Sequence, residues 1–309
     1  MLSRIAESLF WIGRYVERGD ATARLLDTHL QLLLEDPWVD EDTACRGLLA
    51  IMGQSTSDED EVARRDVLDR LAYDRTSPAS IAGTIWSARE AARRARETVS
   101  SELWEVLNHT YNSQKDMALL RSAHDYFGWV RQRSAIVSGL VDSTMSRGET
   151  WSFLVLGRSL ERADMTARLV ATRAVTTAGA PDWTTLLRST GAFEAFLRST
   201  RGRAGDRQAA QFLLVDRLFP RSVVHSLDQA ERCLVELRST IGEQVAVPDE
   251  GGRILGRARS RIEYMAMNDV QENLLDEMET IQVACQSAAD AVRAKFFVGE
   301  PAAWKGESA

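Results

Sequence analysis

Two rows of charged side chains are the part of this sequence best suited to chemistry. Each row reads cation, anion, anion, cation at spacings of three or four residues. The rows are Arg14, Glu17, Asp20 and Arg24, and Arg158, Glu161, Asp164 and Arg168. On a helix that turns about 100° per residue, each row spans about a third of the circumference. Guanidinium groups bind carboxylates or phosphates bidentately and carboxylates accept amines, so such a row can hold a zwitterion.

Further charged residues extend the candidate site. An arginine follows the glutamate of each row, and Arg89-Glu90 lies in a dense polar stretch that can face the first row. The full set of ligand-binding candidates is Arg14, Glu17, Arg18, Asp20, Arg24, Arg89, Glu90, Arg158, Glu161, Arg162, Asp164 and Arg168. The competing interpretation is a solvated helix face, whose i,i+3 and i,i+4 pairs contribute about 0.2–0.5 kcal/mol each. Both interpretations stay open, because the sequence does not orient the rows.

Other catalytic and cofactor motifs are absent from the sequence. A di-iron site in a helical bundle needs Glu-x-x-His pairs on two helices, and none occurs. Gly251-Gly252 lacks the lysine of a phosphate-binding loop, and no G-x-S-x-G nucleophile elbow is present. Cys45, Cys233 and Cys285 are far apart and form no CxxC pair. We therefore expect no metal site and no cofactor.

Composition places the chain among globular proteins. It has 309 residues, of which 44% are hydrophobic and 27% are charged, enough for a large buried core. A net charge of −7 opposes electrostatic binding to nucleic acid, which needs a basic surface. Charges interrupt the first twenty residues, unlike a signal peptide, and no apolar run reaches the roughly 20 residues of a membrane span. We expect a cytoplasmic protein without a membrane span or a nucleic-acid partner.

Helical periodicity dominates the chain. Apolar residues recur at three- and four-residue intervals from Leu2 to Leu33, which predicts one long helix that ends near Asp36-Pro37. Six further helices are predicted by cap residues and the same periodicity. Their ranges are 77–108, 117–145, 150–176, 183–198, 220–241 and 253–297, the last broken near Asn268. These lengths suit an all-α bundle of long helices, with a flexible tail at 298–309.

An internal repeat relates the two rows. The block from Gly13 to Leu25 returns 144 residues later as the block from Gly157 to Leu169, with its Gly-Arg, Glu-Arg, Asp and Thr-Ala-Arg-Leu residues in place. A weaker match pairs the segment 78–81, at a predicted helix start, with 220–223. Two matched blocks in the same order predict two duplicated, pseudo-symmetric halves, at about 1–147 and 148–297, within one helical domain spanning 1–297.

The opening segment MLSRIAESLFWIGRYVER, residues 1–18, resembles the opening signature of the bacterial alpha-E family. Two later segments, IWSAREAAR at 85–93 and SELWEVLN at 101–108, resemble a second signature of that family. The resemblance covers residues 1 to about 297. The chain departs from the pattern at Gly19-Asp20, where an alanine- or glutamate-rich pair is expected, so this turn is predicted to be less rigid.

The resemblance implies an all-α protein that accompanies circularly permuted ATP-grasp proteins, often with transglutaminase-like proteases, in systems that make or modify peptides and amides. The expected function is a binding or accessory subunit that works with an ATP-grasp-type ligase and holds a zwitterionic ligand in a charged cleft between the halves. One alternative is an enzyme with Glu17 or Glu161 as general base and Arg14 or Arg158 stabilising an oxyanion. Another is a purely structural interaction protein.

Overall fold

The chain folds into α-helices joined by turns. The computed structural model describes residues 1–35, 40–56, 61–174, 182–200, 205–240, 242–243 and 247–297. The helices are α1 (Ser3–Glu35), α2 (Glu41–Ile51), α3 (Arg64–Leu68), α4 (Ile81–Arg94), α5 (Ser101–Leu120), α6 (Ala123–Thr144), α7 (Glu149–Ala171), α8 (Trp183–Ser189), α9 (Phe193–Thr200), α10 (Asp206–Val215), α11 (Val223–Thr240), α12 (Glu250–Tyr264), α13 (Met267–Glu272) and α14 (Leu274–Val292). The described residues contain no strand, which confirms the all-α prediction.

Two long helices, α1 and α7, pack against each other at the centre of the bundle. α1 also packs against α4 and α6, and α5 contacts both of those helices. α7 packs against α11 and α14, and α12 contacts both of those. A π-helical turn at 293–297 returns to α1, so the two ends of the described chain meet. The neighbours of α1 and of α7 are thus arranged in a similar way. The duplication, the superposition of the two halves and the domain boundaries stay predictions.

Most of the apolar stripe predicted on α1 lies in or against the core, whereas Leu2 at its start is exposed. Leu9, Ile12, Ala23 and Leu26 of this stripe are fully buried. Full burial of a leucine or isoleucine side chain contributes about 1.5–3 kcal/mol, so this stripe anchors α1 among its neighbours.

Glycines allow α1 and α7 to approach closely. A Cβ at Gly13 would lie 2.0 Å from the backbone oxygen of Leu154, and a Cβ at Gly157 would lie 2.0 Å from that of Phe10. Any larger residue would therefore force the helices apart. The two contacts are reciprocal. They place the charged rows, which begin one residue later on each helix, at the interface between α1 and α7.

The predicted 77–108 helix is wrong, because the structure has two helices there. α4 begins after Ser80 and not after Ser77, since Ser80 Oγ accepts the amide hydrogen of Gly83 at 2.9 Å. α5 has its own N-cap, Ser100, whose Oγ accepts the amide hydrogen of Leu103 at 3.2 Å. A second capping serine thus restarts the helix where apolar periodicity alone indicates continuity.

Three other predicted ranges also differ from the structure. Residue 117 lies in α5, and α6 begins only after the N-cap Ser122. The predicted 183–198 helix is divided into α8 and α9 by Gly191, whose φ of +67° is left-handed. The last predicted helix is α12, α13 and α14, and Asn268 lies inside α13.

Helices α1, α7 and α11 lie where the sequence predicted them, whereas α2, α3 and α10 were not predicted. α2 is short, and its N-cap Asp40 accepts the amide hydrogen of Thr43 at 2.9 Å. The predicted helix ends near 36–37, 176 and 241 and the tail at 298–309 lie outside the described residues. Of the helices that the structure describes, none is both long and apolar enough to cross a membrane.

Candidate functional site

The interface between α1 and α7 contains a network of charged side chains, here called the interface network. Its members are Arg14, Glu17, Arg18, Asp20, Arg24, Glu161, Arg162, Asp164, Arg168 and Arg221. All four carboxylates and Arg14 are buried. Burial contradicts the interpretation of the rows as a solvated helix face. It also requires that the charges be paired, because an unpaired buried charge is strongly destabilising.

Glu161 is held by two arginines from α1. Arg14 Nε donates to Glu161 Oε2 at 2.6 Å, and Arg18 donates through Nε to Oε1 at 2.5 Å and through Nη2 to Oε2 at 3.1 Å. Burial alone would raise the pKa of the Glu161 carboxyl, but the two guanidinium groups outweigh it and lower the pKa to about 2. Glu161 is therefore a permanent anion at neutral pH and a poor general base.

Glu17 is held by two arginines from the second half of the chain. Arg162 Nε lies 2.8 Å from Glu17 Oε2, and Arg221 Nη1 donates to Glu17 Oε1. Arg221 Nη2 also donates to Asp20 Oδ2, at 2.6 Å. The two Glu-Arg pairs thus exchange partners: Glu161 pairs with Arg18, and Glu17 pairs with Arg162. Both glutamates have their oxygens engaged, so neither is free to take a proton from a substrate.

The last arginine of each row pairs within its own helix and reaches the opposite half. Arg24 Nε donates to Asp20 at 2.9 Å, and Arg168 Nε donates to Asp164 at 2.8 Å. An added Cβ at Gly191 would lie 2.8 Å from Arg24 Nη1, and one at Gly53 would lie 3.7 Å from Arg168 Nη1. Both glycines have positive φ, +67° and +70°. Arg24 and Arg168 therefore occupy corresponding positions.

The aspartates of the two rows have opposite pKa shifts. Burial would raise the pKa of Asp20, but Arg221 and Arg24 lower it below its usual range. Burial and the nearby Glu161 carboxylate raise the pKa of Asp164, and Arg168 only partly offsets them. The difference follows from Arg221, which contacts Asp20 and has no counterpart beside Asp164 among the described residues.

Arg158 begins the second row, but it is not paired with Glu17. Its only ion-pair contact among the described side chains is Nη2 to Asp142 Oδ1 at 3.7 Å. Its Nε is buried and has no hydrogen-bond partner among the residues that the structure describes. Arg14, the corresponding residue of the first row, is bonded to Glu161 and lies over the rings of Phe10 and Trp11 at 6.0 and 5.8 Å. The first arginine of the first row therefore donates to a carboxylate of the interface network, whereas the first arginine of the second row does not.

Arg158 and Arg162 line a cleft of about 550 Å³ between α6, α7 and α11, here called the α6–α11 cleft. Asp142 lies on its α6 side, where it contacts Arg147 Nη1 at 3.3 Å and accepts from Trp151 Nε1 at 3.4 Å. Polar groups of Ser138, Ser159, His225, Ser226 and Gln229 complete the lining. The cleft volume falls within the range of small-molecule sites. A ligand in the cleft would meet the guanidinium groups of Arg158 and Arg162 and the carboxylate of Asp142.

Arg89 and Glu90 belong to a different cluster. Arg89 Nη1 donates to Glu90, and Arg89 Nε donates to Asn108 Oδ1 at 3.2 Å. The Arg89 guanidinium lies over Trp104 at 5.6 Å and over Tyr111 at 5.3 Å. Among the residues that the structure describes, no ion pair or hydrogen bond joins this cluster to the interface network. Arg89 and Glu90, which the sequence allowed to face the first row, thus pair within their own cluster.

Sequence reasoning missed Arg221, Asp142 and Trp151. Arg221 could have been identified from the repeat, because it lies between Pro220 and Ser222, which match Pro78 and Ser80. The residue between Pro78 and Ser80 is Ala79, so an arginine at position 221 is a difference between the halves. Asp142 and Trp151 lie outside the matched blocks, and no spacing rule connects them to the rows.

Histidine and cysteine side chains lie away from the interface network or are unreactive. No group of three or more potential metal ligands occurs within the described ranges. Burial lowers the pKa of His29 to about 4, so this side chain is neutral. Burial raises the pKa of Cys45 and of Cys233 to about 11, and such thiols stay protonated at neutral pH. His225 is the histidine that lines the α6–α11 cleft, with Nδ1 2.9 Å from the backbone oxygen of Arg217.

The sequence model of Alpha-E, described as a predicted alpha-helical domain with a conserved ER motif, matches residues 1–297. The chain belongs to the Alpha-E family. In this Alpha-E chain, Glu-Arg pairs occur at 17–18, 161–162 and 231–232. The first two pairs exchange partners across the interface network, and the third lies on α11.

The chain is similar to uncharacterised proteins of Mycobacterium bovis and Mycobacterium tuberculosis. Each is 23% identical over 325 residues, an alignment that covers 94% of this chain and 36% of the relative. The chain therefore spans about a third of the length of the curated relatives it matches. No solved structure matches the chain.

Proposed function

We propose that this Alpha-E chain is a binding or accessory subunit that acts with an ATP-grasp-type ligase in the synthesis or modification of peptides or amides. The ligand is zwitterionic and occupies the α6–α11 cleft. The observation that carries the proposal is the position of Arg158 beside Asp142, at 3.7 Å, on the wall of this cleft. A guanidinium group and a carboxylate side by side are the groups that bind the carboxylate and the amine of a zwitterion.

The partner part of the proposal has different support. It comes from the resemblance of the opening segment, residues 1–18, to a family that accompanies ATP-grasp proteins. The same resemblance suggests a transglutaminase-like protease as a further partner. The matched relatives are much longer than this chain, which suits a unit that works beside other domains. A cytoplasmic location is also part of the proposal, because the free, buried cysteines suit a reducing compartment.

A catalytic role is less well supported than a binding role. A general base must be free to accept a proton and needs a pKa near the working pH. Glu161 has a pKa of about 2, and both oxygens of Glu17 are paired with arginines. The interface network therefore suits the rigid positioning of the cleft better than proton transfer.

The test is reconstitution with an ATP-grasp-type ligase from the same organism. The two proteins are mixed, analysed by size-exclusion chromatography and assayed for ADP release with amino-acid and peptide substrates. We expect co-elution, and ADP release that depends on the Alpha-E chain and falls with Arg158→Gln. The control is Arg93→Gln, which removes the same charge from an exposed position on α4. If the ligase neither co-elutes nor responds to the chain, the proposal is wrong and a structural role is favoured.

A further inference from the structure

The two rows contain one arginine without a matching carboxylate. In the first half, Arg14 Nε donates to Glu161 at 2.6 Å. In the second half the corresponding carboxylate is Glu17, but its Oε1 accepts from Arg221 and its Oε2 faces Arg162. Arg158 is therefore displaced from the interface network, and its side chain lies on the wall of the α6–α11 cleft.

The guanidinium groups around the α6–α11 cleft differ in their counter-ions. Three guanidinium groups line it, those of Arg147, Arg158 and Arg162. Arg147 is paired with Asp142 at 3.3 Å, and Arg162 is paired with Glu17 at 2.8 Å. Arg158 is left with a 3.7 Å contact to an aspartate that is already shared. Among the described residues, Arg158 therefore has no close counter-ion of its own, and the anion of a ligand can take that place.

The environment of Arg158 is also incomplete in its hydrogen bonds. Within the described part of the chain its buried Nε has no hydrogen-bond partner, which is a costly arrangement for a donor of a charged group. A rotation of the side chain into the cleft would present Nε and Nη2 together. This edge of a guanidinium group matches the two oxygens of one carboxylate.

We infer that the α6–α11 cleft binds the carboxylate of a small amino-acid or peptide-like ligand on Arg158, so that the ligand supplies the anion that Glu161 supplies to Arg14. A carboxylate fits, because its two oxygens match the edge of one guanidinium group. The inference deepens the proposed function and rests on it for the choice of a peptide as ligand. The carboxylate itself follows from the charges and contacts of the cleft.

The experiment measures binding to the isolated chain by calorimetry, without any ligase. The probes are the dipeptide glycylalanine, its C-terminal amide and inorganic phosphate. We expect glycylalanine to bind and the amide to bind at least tenfold more weakly, because the amide lacks the carboxylate. Arg158→Gln should weaken glycylalanine binding at least tenfold, and Arg158→Lys should do so partly, since it keeps the charge and loses the bidentate edge.

Two controls keep the result interpretable. Arg93→Gln, which removes a charge at an exposed position on α4, should leave glycylalanine binding unchanged. The melting temperature of Arg158→Gln should stay close to that of the unchanged chain, because the ion pair of Arg158 with Asp142 is long and no other is present in the described ranges. A loss of binding in a folded variant then reports on the cleft.

Each remaining outcome overturns the inference. Binding of phosphate without glycylalanine would show that the site takes a different anion, and binding of neither would show that the cleft is not an anion site. Equal affinity in Arg158→Gln would place the carboxylate elsewhere. The proposed function is separable, because ligase co-elution is measured independently. Carboxylate binding without co-elution would reject the ligase partnership and leave this inference standing.

Discussion

The two Glu-Arg pairs of the interface network lie in unequal surroundings. Glu161 accepts from Arg14 and Arg18, both on α1, so the arginine at the start of the first row is fully engaged. Glu17 accepts from Arg162 and Arg221, and Arg158, at the start of the second row, is left at the cleft. The first arrangement is closed and stabilises the helix pair. The second is equally buried at Glu17, but its Arg162 and Arg158, which has no bond to Glu17, line the α6–α11 cleft.

One residue accounts for this difference. The segments around Ser80 and Ser222 have the same local geometry, because Ser80 Oγ donates to the backbone oxygen of Asp74 and Ser222 Oγ donates to that of Asp216. The residue before the serine is Ala79 in one segment and Arg221 in the other. The guanidinium group at that position donates to both Glu17 and Asp20, and Arg158 has no bond to Glu17. Similar sequences thus place Arg14 on a carboxylate and Arg158 at the wall of a cleft.

The largest expected effect is that of Glu161→Gln. The change keeps the shape of the side chain but leaves Arg14 and Arg18 without their counter-ion inside the protein. We expect the free energy of unfolding to fall by about 3–5 kcal/mol. Glu17→Gln should cost less, about 2–3 kcal/mol, because Arg221 keeps its bond to Asp20. Urea unfolding followed by circular dichroism measures both values.

The matched control is Asp228→Asn, which breaks the exposed pair of Asp228 with Arg232. Exposed pairs contribute about 0–1 kcal/mol, so this variant should be nearly as stable as the unchanged chain. Equal losses for Asp228→Asn and Glu161→Gln would contradict the burial argument. A larger loss for Glu17→Gln than for Glu161→Gln would reverse the comparison between the two sites.

Acid should weaken the Glu161 site over a defined pH range. The pKa of Glu161 is about 2 in the folded chain, against an ordinary value of 4.5. Because the folded-state pKa is lowered, the stabilisation is complete above pH 4.5 and is lost as the pH falls toward about 2. The difference in pKa corresponds to about 3 kcal/mol. The gap in unfolding free energy between the unchanged chain and Glu161→Gln should therefore narrow below pH 4.5, and a constant gap would contradict the pKa shift.

Arg221→Ala tests whether one residue distinguishes the two sites. The substitution gives the second site the residue, alanine, that the first has at position 79. We expect Arg158 to move onto Glu17, as Arg14 is placed on Glu161, so the loss of stability should be only about 1–3 kcal/mol. Glycylalanine binding should weaken because Arg158 is no longer at the cleft. Combining Arg221→Ala with Arg158→Gln should cost more than the sum of the two changes. Simple additivity would mean that Arg158 does not move.

Much of the fold could be predicted from the sequence, because apolar periodicity reports directly on which side of a helix is buried. α1 and α7 are long, regular and lie where that periodicity placed them. The errors fall at helix boundaries such as Ser80, Ser100 and Gly191, where one hydrogen bond or one positive φ ends or starts a helix. Apolar spacing carries no information about such local events.

The candidate site was only partly predictable. Residue types and the repeat identified both rows, and the structure brings them together at one interface. The ion pairs could not be predicted, because each glutamate pairs with arginines that are distant from it in the sequence. Arg158 belongs to the predicted row, but Arg221 occupies the glutamate with which it would pair. Arg89 was a candidate as well, and it lies in another cluster.

The smallest expected effect is that of Asp164→Asn, and its comparison with Asp20→Asn is the finest test of the inequality between the rows. Asp20 accepts from Arg221 at 2.6 Å and from Arg24 at 2.9 Å, and its pKa is lowered, so its charge stabilises the fold. Asp20→Asn should cost about 2 kcal/mol at pH 7.

The pKa of Asp164 is raised by burial and by Glu161. Ionisation of Asp164 therefore opposes folding as the pH rises above the ordinary aspartate pKa of 3.8. An asparagine never ionises and can still accept from Arg168, so Asp164→Asn should change stability by less than about 1 kcal/mol. Urea unfolding of both variants at pH 7 measures the difference, and equal losses would mean that the two aspartates are equivalent despite Arg221.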